Sequence, residues 1–370
     1  MSKRLVIAGG GHAHMVTLAR LDEFVDKGFK VTVVGPDTHH YYSGMGPGML
    51  GRTYSPGEIR FATRDLVEKK GAVFVQAKVT GINPVERTVA LSTGEELPYD
   101  VLSCNLGSQV PDELVRGEPD DIFPVKPIER LYRAGQRILE LGRQAELRLA
   151  VVGGGPSAVE TAGNVWRLGQ EPGMRRPEIT VFAGRSLMPR HPARVRQRAE
   201  ASLAARSIRI ISNSRVQEIR SGQITDAQGT QHAFDIIFVA VGVRPNKIIA
   251  ESGLPVGPQG GMLVNQYLHS VKYDNIFGGG DCIDFEDRPL DKVGVYAVRQ
   301  NPVLRHNLMA ALTGDPLQSF TPGGKYLLIF NLGDGTGILS KWSLVFGGRP
   351  AFLIKDWIDR RFMRTFQAYE

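Results

Sequence analysis

One phrase occurs twice in this chain: RLVIAGGG from Arg4 to Gly11, and RLAVVGGG from Arg148 to Gly155. Each is a short apolar strand that runs into three glycines and then into a helical pattern. Gly9 is placed for the positive φ of a tight turn, and Gly11 removes a side chain where a phosphate must approach the backbone. The helix that follows aims unsatisfied N–H groups at that phosphate. A single glycine-rich turn says little, because such turns are common. Two of them, the second satisfying GxGxxA through Gly153, Gly155 and Ala158, predict two dinucleotide sites in an α/β chain.

The chain has 370 residues, enough for two or three domains with full cores. Its formal charge of +7 favours anionic partners such as dinucleotide phosphates, acidic lipid or nucleic acid. Zinc-finger spacings, aromatic RNA-binding runs and basic tails are all missing, so nucleic acid is excluded as the expected partner. Cys104 and Cys282 lie far apart and belong to no CxxC, which argues against a disulfide framework or structural zinc. Cys104, inside the apolar run Asp100–Gly107, reads as a small core residue rather than a nucleophile. The first strand begins within a few residues of Met1, leaving no room for a signal peptide. No apolar run approaches the roughly 20 residues that span a bilayer. These features predict a cytoplasmic protein.

Lys30 to Val34 reads as the second strand of the first βαβ unit, where an acid usually holds the adenosine ribose. Gly35 and Pro36 stand there instead, and Asp37 is the nearest carboxylate. His14 replaces the third glycine. His12, His14, His39 and His40 invite a metal reading, but no carboxylate or cysteine completes a familiar spacing. They are expected as polar or stacking contacts, with no metal. Gly71 to Ile82 and Arg87 to Leu91 predict a β-meander, and Ile128 to Arg143 an amphipathic helix. In the second unit, strand Ile179 to Ala183 again lacks its acid. Arg185, just past it, is the residue type that accommodates a 2′-phosphate, whereas the arginines around it read as a solvated face. Lys325 to Gly337 and Ser340 to Phe346 predict a hairpin, and Ala351 to Tyr369 a final helix. Ile354, Ile358, Phe362 and Phe366 form an apolar stripe on that helix, with Trp357 and Tyr369 beside it.

With AVGVRPN at Ala240–Asn246 and IFGGGDC at Ile276–Cys282, the two glycine turns make four motifs in a familiar order. The chain resembles the two-dinucleotide-binding-domain flavoproteins of the pyridine nucleotide–disulfide oxidoreductase superfamily. That resemblance implies two Rossmann-like three-layer (ββα) domains. A discontinuous FAD-binding domain comprises residues 1–110 and 262–322, and an NAD(P)H-binding domain residues 111–261. Residues 323–370 form a small C-terminal hairpin and amphipathic helix. The first turn would bind FAD through Gly9, Gly11, His12 and Ala13, with Asp37, Val79, Gly107 and Asp281 completing the site. The helix after Val293 would point the backbone of Gly294, Val295 and Tyr296 at the flavin, where charge develops on hydride transfer. Gly153, Gly155, Ser157, Arg185 and Gly242 would receive NAD(P)H.

Disulfide reductases and sulfide:quinone reductases need cysteines beside the flavin, and Tyr41–Gly48, where a redox disulfide often sits, has none. YSGMGPG, PVKP, GVYAVRQNPVL and LIKDWIDRRFM are similar to type II NADH dehydrogenases and to the flavoprotein domain fused to some selenide, water dikinases. The likeness implies hydride transfer from NAD(P)H to FAD and electron transfer on to an acceptor, a quinone above all. Gln300 stands where the type II enzymes carry a quinone-site glutamine; as a bare helix residue it would cap a neighbouring backbone group. Lys126 is expected to meet the flavin or a phosphate, or else to be an exposed loop lysine. The final helix is expected to touch the inner face of the cell membrane, a second subunit of a homodimer, or the chain itself. Two other functions fit the same residues: a sulfur- or selenium-linked flavin oxidoreductase without a redox disulfide, and a slow flavin-bearing redox sensor.

Overall fold

A computed structural model describes residues 2–117 and 120–370. The first glycine turn leaves a five-stranded parallel sheet whose strands lie in the order Ile276–Gly278, Val101–Cys104, Arg4–Ala8, Lys30–Gly35, Val73–Gln76. The second leaves a sheet of the same plan: Ile122–Pro124, Ile236–Val239, Arg148–Val152, Glu178–Phe182, Arg209–Ile211. Apolar runs such as LVIA and LAVV are buried on both faces, as parallel strands covered by helices and meanders require. In each sheet the chain moves outward from its glycine strand and then returns to the other side of it. The crevice at that reversal, outside the carboxyl ends of the strands, is where such sheets receive ligands.

Each sheet carries a three-stranded antiparallel meander, Val79–Asn83 with Thr88–Leu91 and Glu96–Pro98, and Val216–Arg220 with Gln223–Asp226 and Gln231–Ala233. The stretch Gly71–Ile82 therefore divides, because Val73–Gln76 pairs in parallel with Lys30–Gly35 and only the part after it joins the meander. The helix after the first glycine turn is also shorter than the pattern predicts. It enters as a 3₁₀ turn over His12–His14, continues as α-helix only over Met15–Ala19, and restarts at Asp22–Val25. Its counterpart in the second unit runs unbroken over Pro156–Leu168.

The C-terminal hairpin has three strands, Leu328–Asn331, Gly337–Lys341 and Leu344–Gly348, followed by a helix over Arg349–Gln367. On that helix the expected apolar stripe divides. Its fully enclosed residues are Ala351, Lys355, Asp359 and Met363, whereas Leu353, Ile354, Trp357 and Ile358 face solvent. Phe362 and Phe366 do turn inward: Phe362 stacks on Tyr42, and both meet Phe61 edge-on. A charged pair can occupy a buried stripe when each member completes the other, which hydropathy periodicity does not register.

Candidate active site

The first glycine turn is built as its sequence predicts. Gly9 takes φ +95°, and a Cβ there would collide with the carbonyl of Asn105. His14, in the place of the third glycine, ties the turn down: Nδ1 lies 2.6 Å from the Gly9 carbonyl and Nε2 2.7 Å from the Ser103 hydroxyl. Burial lowers its pKa to about 4, so the ring stays neutral as a structural strut. Ala13 is fully buried, Val79 begins its meander, and Asp37 lies exposed beyond the second strand.

Around the 3₁₀ turn Gly280–Cys282 the fold gathers residues far apart in sequence. Lys126 Nζ donates to Asp281 Oδ2 at 2.7 Å, and the Ser108 hydroxyl donates to the same oxygen at 2.7 Å. Burial by itself would raise the Asp281 carboxyl, but the charge and hydrogen bonds of Lys126 and Ser108 outweigh it and hold the group below its ordinary value. Lys126 is thus neither a free loop lysine nor remote from the first turn. Gln300 is 1% exposed, and its Oε1 accepts the Gly280 N–H at 2.7 Å. Asn301 spans the next gap, accepting from Val16 N–H and donating to the His12 carbonyl. Gly294–Thr313 is one helix of twenty residues that starts at Gly294, so Gly294, Val295 and Tyr296 form its first turn.

His12 packs edge-on against His40 and tilted against Tyr42, and it stacks on Phe362 of the C-terminal helix. His40 Nε2 and His12 Nδ1 are 3.3 Å apart. Burial lowers the two rings to about 4 and about 3, so both are neutral. Buried with no partner are His12 Nε2 and Asn105 Nδ2. Orphaned polar atoms beside a glycine turn, with the Asn105 amide a donor among them, are the groups an anionic dinucleotide would satisfy, and the residues present fit one.

The sequence reading missed a second cluster. Lys355 donates to Asp359 at 2.7 Å and to the Gly44 carbonyl at 2.8 Å, and Tyr42 donates to Asp359 at 3.0 Å. Burial works against the Lys355 ammonium, but Asp359 and Glu160 keep its pKa above the ordinary value. Glu160, on the helix behind the second glycine turn, accepts the Asn331 N–H at 2.8 Å. Burial lifts its pKa to about 7 despite Lys355. The signal in the sequence is the four-residue spacing of Lys355 and Asp359 on one helix.

At the second turn, Gly153 has φ +146° and would collide with the Ala240 carbonyl if it bore a Cβ; Gly155 has open space. Ser157 and Arg185 are exposed, and Gly242 has φ +100°. Among the described residues, no group of three or more His, Cys, Asp or Glu is arranged to hold a metal. Cys104 and Cys282 are buried and reduced, with burial raising both thiols.

The model of the pyridine nucleotide-disulphide oxidoreductase family matches residues 3–307. The chain belongs to that family. A demethylphylloquinone reductase of Synechocystis is 27% identical, over 95% of this chain and 90% of its own. A type II NADH:quinone oxidoreductase of Staphylococcus aureus is 22% identical, over 97% and 94%. The solved structure of NDH2 from Plasmodium falciparum in complex with NADH superposes with TM-score 0.82 at 14% identity, over 100% of this chain and 98% of that one. The fold is shared along the whole chain, C-terminal hairpin and helix included.

Proposed function

We propose that the protein is an FAD-dependent NAD(P)H:quinone oxidoreductase. The observation that carries the reading is the Lys126–Ser108–Asp281 cluster between the first glycine turn and the Gly294 helix, in a family member with no cysteine at Tyr41–Gly48. FAD, when bound, supplies the two-electron carrier between NAD(P)H and the quinone. The chain's own residues position and polarise. Lys126 keeps Asp281 ionised as a hydrogen-bond acceptor, and Gln300 fixes the peptide that carries it. The first turn of the twenty-residue helix supplies backbone donors where negative charge develops.

The outer face of the C-terminal helix supports contact with a membrane surface. Leu353 is 62% and Trp357 56% exposed, and Trp342 at the neighbouring hairpin tip is 67% exposed. Lys341 and Arg361 lie over the rings of Trp342 and Trp357, placing cations beside the apolar patch. No helix among the described residues is long and apolar enough to cross a membrane. A second copy of the chain is the other occupant this face fits. Sedimentation with anionic vesicles tests the first, and ultracentrifugation without lipid the second.

Anaerobic mixing tests the central reading. NADH or NADPH should bleach the bound flavin rapidly, and a short-chain quinone should restore its colour. Slow bleaching would instead indicate a sensor, and recolouring only by polysulfide a sulfur-linked enzyme.

A further inference from the structure

The two glycine turns are structural equivalents, so residues facing them can be compared within one chain. Ala8 pairs with Cys104 and Val152 with Val239, which sets Asn105 opposite Gly9 and Ala240 opposite Gly153. Each is the first residue past its strand, at the point where strand order reverses. The second turn carries a plain Ala240 and a helix of thirteen residues. The first carries Asn105 and a helix that breaks after Ala19.

Asn105 is 7% exposed, and three glycines make room for it. A Cβ on Gly9 would strike its carbonyl, one on Gly11 would lie 2.7 Å from its Nδ2, and one on Gly280 2.8 Å from its Oδ1. Gly11 thus clears space for a side chain as well as for a phosphate. The carboxamide is wedged between the first glycine turn and the turn bearing Asp281, yet its Nδ2 has no hydrogen-bond partner. A buried amide left unpaired is costly unless something absent from the protein alone completes it.

We infer that Asn105 is a further cofactor-binding residue, a side-chain donor for the anionic pyrophosphate of the flavin dinucleotide. This rests on the FAD reading above. The short first helix offers less aligned backbone to a phosphate than the helix at the second turn.

The test compares Asn105→Ala, which copies the second turn, with Asn105→Asp, which keeps the shape but turns a negative charge toward the phosphates. FAD affinity of the refilled apoprotein is read by flavin fluorescence quenching, and folding by apoprotein melting. Asn105→Ala should weaken FAD on the order of ten- to a hundredfold, and Asn105→Asp more, with melting of the apoproteins unchanged. Asn105→Ser, smaller and with its own donor, should recover part of the loss and serves if the alanine variant does not fold. Wild-type affinity in the alanine variant, or an aspartate variant no weaker than alanine, overturns the inference. Wild type that takes up no FAD would instead overturn the proposed function.

Discussion

Replacing Arg185 by alanine should weaken NADPH and leave NADH almost unchanged. The strand Glu178–Phe182 ends in Ala183, Gly184 and Arg185, so the carboxylate that would bond the ribose hydroxyls and repel a 2′-phosphate is missing. Gly184 takes φ +58° and accepts the Ser214 N–H at 3.1 Å, bringing the next loop alongside. The Ser214 hydroxyl is buried there without a partner. Arg185 is exposed and makes no ion pair or hydrogen bond among the described residues. A charge-assisted hydrogen bond contributes about 1.5–3 kcal/mol, and solvent exposure places this one at the lower end. About 1.5 kcal/mol corresponds to roughly tenfold in affinity. Anaerobic stopped-flow bleaching over a range of NADPH and NADH concentrations gives both dissociation constants. The NADPH effect should shrink as salt is raised. Arg185→Glu should restore discrimination against NADPH. Equal effects of Arg185→Ala on both nucleotides, or a wild type that strongly prefers NADH, would refute the reasoning.

Three further outcomes follow from the same geometry. Asp281→Ala should lose FAD on gel filtration while keeping its circular dichroism, since the substitution removes the acceptor but leaves the sheets intact. Acidification should destabilise the protein as the pH falls from about 6.5 towards 4, because burial holds His14 and His40 near 4 and His12 near 3 in the fold against 6.5 when unfolded. The unfolded chain then binds more protons, so stability is lost downward through that window, on the order of 3 kcal/mol for His14 alone. His14→Gln should flatten the acid limb of a melting-temperature profile. Deleting residues 351–370 should release FAD or cause aggregation rather than give a clean soluble enzyme. It strips Phe362 from His12 and removes Asp359 from Tyr42; a truncated protein with full flavin content would contradict this.

What the sequence made legible was local. The glycine turns are readable because strand, tight turn and helix start are contiguous. Asp281 was readable only through a family motif, because nothing in its own neighbourhood announces that Lys126 and Ser108 close on it. Gln300 was left between two roles, and its carbonyl oxygen accepts from the Gly280 peptide. The break in the first helix was not readable: apolar spacing persists past Ala19, while hydrogen bonding of the helix type does not. On the final helix it was the polar part of the buried face that the sequence left hidden. Its most enclosed stripe includes Lys355 and Asp359, whose partners Gly44 and Tyr42 lie more than three hundred residues away in the chain.

That arrangement fixes one face of the helix beside the first glycine turn and leaves the other exposed. Buried singly, either charge would be untenable, but paired on successive turns they satisfy each other and also grip Gly44 and Tyr42 of the segment beside the first glycine turn. Phe362, one turn on, stacks on His12, which stands directly after Gly11. The inner face therefore joins this polar grip to the buried Ala351 and Met363 and the inward Phe362 and Phe366, while Leu353, Ile354, Trp357 and Ile358 point outward. Had the helix been held by those residues instead, its register would have turned Lys355 and Asp359 into solvent. Tyr42 and Gly44 would then have had to find other partners beside the first glycine turn.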